Sequence, residues 1–282
     1  MHRPANHQGP LLWLIAGTGD GLRLAPRLLA QGWRLLVSVV GEEAALAYRG
    51  LADVEVRVGP LAGEAGIRAV LLQARRRQDP IRAVVDASHP FACRITAALA
   101  RLGREADDRP PLLRLWRPDC GEPAPARLQI LADPAALAGR PFQGRRLLLA
   151  IGARQLGEVV DCTPGALHHA RLLPSPRALQ QGRAAGIAAE RLACLRPGDP
   201  LERAVLAALL ERWRIEVIVC RQSGGLTERL WRSLARDLDR ELLLLARPPE
   251  PPGLEGLEWE PLLRRLQGLR SAARFPLHDA SP

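Results

Sequence analysis

Asp86-Ala87-Ser88-His89-Pro90 sets a carboxylate, a hydroxyl and an imidazole side by side, directly after the apolar run that starts at Ile81. These residue types at the end of a strand suit proton transfer or the orientation of a ligand. Pro90 fits the first turn of a helix, and Ser88 or His89 could cap it. Capping explains Ser88 but gives Asp86 and His89 no purpose. Asp86 and His89 are therefore candidate catalytic residues, and Ser88 a candidate ligand contact. Neighbouring Ser and His rarely face each other productively, so the pair is not read as a nucleophilic triad.

Two further stretches could hold anions. Gly17-Thr18-Gly19-Asp20-Gly21 follows the apolar run Leu11–Ala16 and precedes a helix. A glycine turn there lets backbone N–H groups approach a phosphate at the helix N-terminus. The dinucleotide fingerprint is incomplete, because Leu22 stands where its third glycine belongs. Arg221-Gln222-Ser223-Gly224-Gly225, with Glu228 one turn on, repeats the design with a fixed positive charge; Ser223 and Glu228 also fit a capping box. Ser38, at the end of the second strand, offers a hydroxyl to a 2′-phosphate, which favours NADPH over NADH, although Glu42 and Glu43 lie close by. Arg154 after Gly152, and Arg171 before Pro174, are weaker candidates. No metal site is expected: His168 and His169 would point to opposite faces of a strand, and the cysteines form no C-x-x-C pair.

Elements that place residues at strand ends are legible along the chain. Strands are expected at Leu11–Ala16, Trp33–Val40, Val54–Val58, Ile81–Asp86 and Leu112–Leu115. Helices are expected to about Gln31 after the first turn, over Glu42–Tyr48, over Glu64–Gln78 and over Phe91–Leu102. Pro26 weakens the first of these. A turn-rich stretch, Arg117–Pro125, marks a boundary. Strands then recur at Leu128–Ile130, Arg146–Ala150, Ala166–Leu173, Leu192–Leu195, Ile215–Cys220 and Glu241–Ala246. Helices are expected between them at Pro134–Ala138, Gln155–Val160, Pro176–Gly182, Pro200–Arg212 and Leu226–Leu238. This alternation predicts an α/β protein of two Rossmann-like domains whose parallel sheets face a central cleft. The expected divisions are a disordered leader (1–10), an N-terminal domain (11–118), a C-terminal domain (119–247) and a Pro-rich tail with a short helix, Pro261–Leu269 (248–282).

Composition narrows the function. Hydrophobic residues make up 47% and charged residues 25% of the 282, a globular balance. The formal charge is +10 and, with no Lys in the sequence, every basic side chain counted is Arg. That excess suits a partner with many carboxylates or phosphates. The Arg residues are scattered and aromatics are only 4%, which counts against a nucleic-acid surface. No apolar run approaches membrane-spanning length, and the N-terminus has no signal-peptide core, so a cytoplasmic protein with reduced thiols is expected.

These motifs resemble the precorrin-6A reductase family, NADPH-dependent enzymes of cobalamin biosynthesis, from about Leu11 to Pro248. Val84–Ala92, VVDASHPFA, is close to the family's V-I-D-A-T-H-P-F-A, with Ser88 for Thr. Arg114-Leu115-Trp116-Arg117-Pro118 resembles L-R-x-x-R-P. Gly17–Ala25 resembles G-G-T-x-E-G-R-x-L-A, with Asp20 for Glu and Leu22 ahead of Arg23. Arg171–Pro174 resembles R-x-L-P, and Arg221–Glu228 resembles K-x-S-G-G-x-x-E. Arg221 and Arg154 stand where the family has Lys; a chain without Lys is expected to show both changes, and Arg serves wherever the role is anion binding. Pro197–Pro200 departs from the family's G-P-F-S.

The resemblance implies hydride transfer from NADPH to a conjugated carbon of a tetrapyrrole, with a proton added at the neighbouring carbon. His89, Asp86 or solvent would supply that proton. The substrate's many carboxylates suit Arg154 and Arg171. Arg221, Ser223, Gly224 and Gly225 would meet either cofactor phosphates or substrate carboxylates. The competing readings are another Rossmann-type reductase or nucleotide-sugar enzyme, and a basic nucleotide-sensing or nucleic-acid-binding module.

Overall fold

The structure, a computed structural model, describes residues 9–17, 19–103, 109–121, 123–198 and 200–272. The chain divides into two units: one takes the residues up to Arg117 and those from Pro248 onward, the other takes Pro118–Arg247.

The first unit is built on β1 (Leu11–Ala16), β2 (Arg34–Val39), β3 (Val54–Val58), β4 (Ile81–Ala87), β5 (Leu112–Leu115) and, far along the chain, β12 (Gly256–Leu257). They form one parallel sheet in the order β12-β5-β4-β1-β2-β3. Every residue of β1 is buried, as expected of a strand covered on both faces. Its side chains alternate between two cores. Leu12, Leu14 and Ala16 pack with Leu24, Ala25 and Leu28 of α1 (Gly19–Ala30) and with Leu262, Leu263 and Leu266 of α9 (Trp259–Ala272). Leu11, Trp13 and Ile15 pack with Ile67, Val70 and Ala74 of α3 (Gly63–Arg76) and with Ala98, Leu99 and Leu102 of α4 (Cys93–Gly103). A short α2 (Glu42–Leu46) follows β2. The α1 helix runs unbroken through Pro26, held by its buried Leu24, Ala25 and Leu28.

Two sequence expectations change here. The segment from Pro248 is not a separate tail: β12 pairs with β5 and α9 supplies three core leucines, covering a sheet edge and a face that would otherwise meet water. Trp259 also lies under Arg23 and Arg27, at 5.1 and 5.7 Å, and Arg27 pairs with Glu260 at 3.1 Å, so α9 is tied to α1 along its exposed side. The leader expected over 1–10 lies outside the described residues except for Gly9 and Pro10. Their carbonyls accept from the Arg34 side chain (2.8 Å) and backbone N–H (3.0 Å), so these two residues are joined to β2.

The second unit repeats the plan with β6 (Leu128–Leu131), β7 (Arg146–Ala150), β8 (Leu167–Leu172), β9 (Leu192–Cys194), β10 (Val217–Arg221) and β11 (Glu241–Leu245). The order is β6-β11-β10-β7-β8-β9, again parallel. The intervening helices are α5 (Leu156–Cys162), α6 (Pro176–Ala184), α7 (Glu202–Arg212) and α8 (Leu226–Asp237). Leu148, Ile218, Leu242 and Leu244 meet Leu206 and Leu210 of α7 and Trp231 and Leu234 of α8. The helix expected at Pro134–Ala138 is a single 3-10 turn, Pro134–Leu137, capped by the Asp133 side chain.

The first sheet starts at the central β1; the second, after its edge strand β6, resumes at the central β7; each then runs outward one way and reverses. The reversal falls between β1 and β4 in one unit and between β7 and β10 in the other. Ligands of such sheets bind beyond the C-terminal ends of the strands flanking that point. Among the described residues no helix is long and apolar enough to cross a membrane.

Candidate functional site

In the first unit the reversal brings the β1–α1 turn against the β4–α4 turn. A Cβ on Gly17 would lie 3.8 Å from the Ser88 Cα and 3.9 Å from the His89 backbone nitrogen, while one on Gly19 would meet nothing within 4 Å. The backbone at these two glycines is therefore open to close approach by a ligand, and α1 directs its positive end there. Gly21 has a different task. A Cβ on it would come 2.6 Å from the Ala16 Cβ and 2.8 Å from the Tyr48 hydroxyl, so it lets α1 pack onto β1. This is the third-glycine role of a dinucleotide turn, carried one position earlier than the expected spacing. Burial pushes the Tyr48 phenol up to about 12, which keeps it neutral at that contact. Thr18 lies outside the described residues.

Asp20, in the first turn of α1, would repel an anion; Arg117 pairs with it at 2.5 Å and offsets its charge. Asp86 is 0% exposed. One carboxylate oxygen accepts the Ser88 backbone N–H at 2.9 Å and meets Arg114 Nη1 at 3.1 Å. The other accepts the Thr96 hydroxyl at 2.8 Å. Arg114, itself 1% exposed, also donates from Nη1 to the Ser88 carbonyl at 3.0 Å. His89 is half-buried, and its Nδ1 accepts the Phe91 backbone N–H at 3.2 Å. That bond requires an unprotonated Nδ1, so the neutral ring carries its proton on Nε2.

Ser38 does not reach the strand tip. It is 4% exposed, and its hydroxyl accepts the indole N–H of the fully buried Trp13 at 2.9 Å. A buried indole needs such an acceptor. The expected contact between Ser38 and a 2′-phosphate gives way to this packing role.

In the second unit the reversal brings Gly152, after β7, against Arg221 at the end of β10. Gly152 has φ +82°, a conformation that favours glycine, and a Cβ there would stand 3.3 Å from Arg221 Nη1, so the guanidinium lies close to its backbone. Arg221 donates to Gln155 Oε1 through Nε (3.0 Å) and Nη2 (2.6 Å). The next turn is held from beneath. Glu228 is buried, accepts the Gly224 N–H at 2.7 Å and pairs with Arg232 at 2.8 Å. Gly225 is the helix N-cap and makes no side-chain cap bond, so the reach-back of Glu228 replaces the Ser223 cap expected from sequence. Ser223 itself is buried.

Arg154 is exposed after Gly152. Arg171 is only 8% exposed and pairs with Glu202 at 2.7 Å. Burial lowers its guanidinium below the ordinary value against the opposing pull of Glu202. Among the described residues no three His, Cys, Asp or Glu side chains gather as a metal ion would require.

Comparison with known proteins follows the same lines. A model of the family described as Precorrin-6x reductase CbiJ/CobK matches residues 11–266. A cobalt-precorrin-6A reductase of Synechocystis is 34% identical over 248 residues, 86% of this chain and 90% of that protein. A precorrin-6A reductase of Rhodococcus erythropolis is 29% identical over 255 residues, 87% of this chain and 92% of its own length. The solved structure of a CobK precorrin-6A reductase superposes with a TM-score of 0.71 at 24% identity, covering 92% of this chain and 97% of that one, and shares its fold.

Proposed function

This chain belongs to the precorrin-6x reductase family, and from that premise we propose that it reduces precorrin-6A or its cobalt form, with NADPH as reductant. The observation that supports this most directly is the pairing of the β1–α1 and β4–α4 turns. There Gly17 and Gly19 leave backbone exposed, Gly21 seats the helix and Arg117 offsets Asp20. Such a turn accepts a dinucleotide's phosphates without a side-chain clash, so the residues present fit the cofactor. When bound, NADPH supplies the hydride, and the chain's part is to hold it and the ring at reacting distance.

In this reading Gly17 and Gly19 line the pyrophosphate, Gly21 seats α1 behind them, Asp20 and Arg117 fix the turn, and Ser88 and His89 border the reacting end. His89 orients by donating from Nε2. A neutral imidazole whose Nδ1 is already an acceptor is poorly placed to take up and pass on a proton. Asp86, closed off beneath the turn, orients Ser88. Solvent then supplies the proton. In the second unit Arg154 and Arg221 bind carboxylates of the tetrapyrrole, with Ser223, Gly224 and Gly225 shaping the turn beside them. Arg171, paired with Glu202, braces β8 against α7.

Anaerobic mixing of the full chain with precorrin-6A and NADPH tests the proposal. Loss of NADPH absorbance together with a shift in the tetrapyrrole spectrum is expected. A protein that binds NADPH yet leaves both spectra unchanged would refute the substrate assignment. Tryptophan-quenching titrations should give tighter binding for NADPH than for NADH; equal affinities would remove the NADPH preference.

A further inference from the structure

We infer that Arg114, gripped from its far side by Glu250, is the positioning residue that sets the Ser88–His89 turn. The inference rests on the reading of that turn as part of the reductase site. The guanidinium divides its donors. Nη1 is spent on the turn, at 3.1 Å from Asp86 Oδ1, 3.0 Å from the Ser88 carbonyl, 3.3 Å from the Ser88 hydroxyl and 3.3 Å from the Asp86 carbonyl. Nε faces the other way, to the Glu250 carboxylate at 3.3 and 3.4 Å.

One carboxylate is enough to neutralise one buried guanidinium, and Asp86 already does so. A second carboxylate on the opposite side has another effect. A planar fork held at both ends cannot swing, so the direction of Nη1, and with it the Ser88 carbonyl, is fixed. His89 is the next residue along. Glu250 is well suited to the task, since it sits in Pro248-Pro249-Glu250-Pro251-Pro252, where the prolines restrict the backbone and lower the entropy cost of presenting its side chain. Thr96 completes the arrangement from α4 by donating to the second oxygen of Asp86. The turn is thus clamped from β5, from α4 and from the segment that re-enters the unit after Arg247.

Glu250→Gln tests this in the full-length protein. Glutamine keeps the shape and removes the charge at a partly exposed position, so folding should survive. A poorly held turn should lower kcat by about 10- to 100-fold, the scale of a small misplacement near reacting atoms. The KM values for NADPH and the tetrapyrrole should stay within about twofold, because no ligand contact is lost. Arg114→Lys, which keeps the charge but cannot grip both sides, should show the same split. A lowered melting temperature with kcat per folded molecule unchanged in Glu250→Gln would make the cluster scaffolding and overturn the inference. Absence of turnover in the wild-type protein would bring down the functional reading and this inference together. An active wild type with an equally active Glu250→Gln brings down the inference alone.

Discussion

His89 is read as a neutral hydrogen-bond donor because Phe91 occupies its Nδ1. Glutamine offers a similar donor and no titration near neutrality. His89→Gln is therefore expected to keep kcat within about tenfold of wild type and to reproduce its pH profile. A limb of the profile present in the wild type and lost in the variant would instead mark His89 as the proton source. Gly21→Ala tests the seat of α1. Its methyl would enter a space bounded at 2.6 Å by Ala16 and 2.8 Å by Tyr48. Overpacking of this kind costs about 1–3 kcal/mol, measurable by urea unfolding, and NADPH affinity should weaken with it. The strand-end residues were legible in the sequence because glycine, serine and charge interrupt apolar runs there. Arg114, Thr96 and Glu250 were not legible as partners of Asp86. Thr96 falls inside an expected helix, Arg114 inside an expected strand and the motif Arg114–Pro118, and Glu250 inside the expected Pro-rich tail; only the fold brings them to one carboxylate.

At the scale of elements, β8 carries a pH dependence. Burial holds both His168 and His169 below the ordinary histidine value, and Arg191 adds to the effect on each. Their folded forms resist protonation that the unfolded chain accepts freely. Stability is therefore fully present above the ordinary histidine value of about 6.5 and is lost as pH falls through and below it. His169→Gln should flatten the decline in unfolding free energy over that range; an identical slope would show that the histidines do not govern it. The α9 helix invites a simpler measurement. Leu266 is fully buried in the first unit's core, so Leu266→Ala should cost about 2–5 kcal/mol. The long alternating strands and helices could be read from pattern alone. The return of β12 could not, since a strand of two residues carries no periodicity and its partner β5 lies far back in the chain.

For the whole molecule, the formal charge of +10 acts at long range. A substrate with many carboxylates is drawn by that field, and salt screens it. Raising ionic strength from about 0.05 to about 0.5 M should lower kcat/KM for the tetrapyrrole by about tenfold while kcat changes little; a salt-independent kcat/KM would mean that only short-range contacts matter. The division of the chain into units has a further consequence during synthesis. Residues 118–247 leave the ribosome as one uninterrupted stretch and have all six of their strands at hand. The first unit, although translated earlier, must wait with the flank of β5 bare until residues 256–257 emerge. The order of maturation is thus the reverse of the order of translation, and a nascent chain stalled before that point presents an open sheet edge to chaperones.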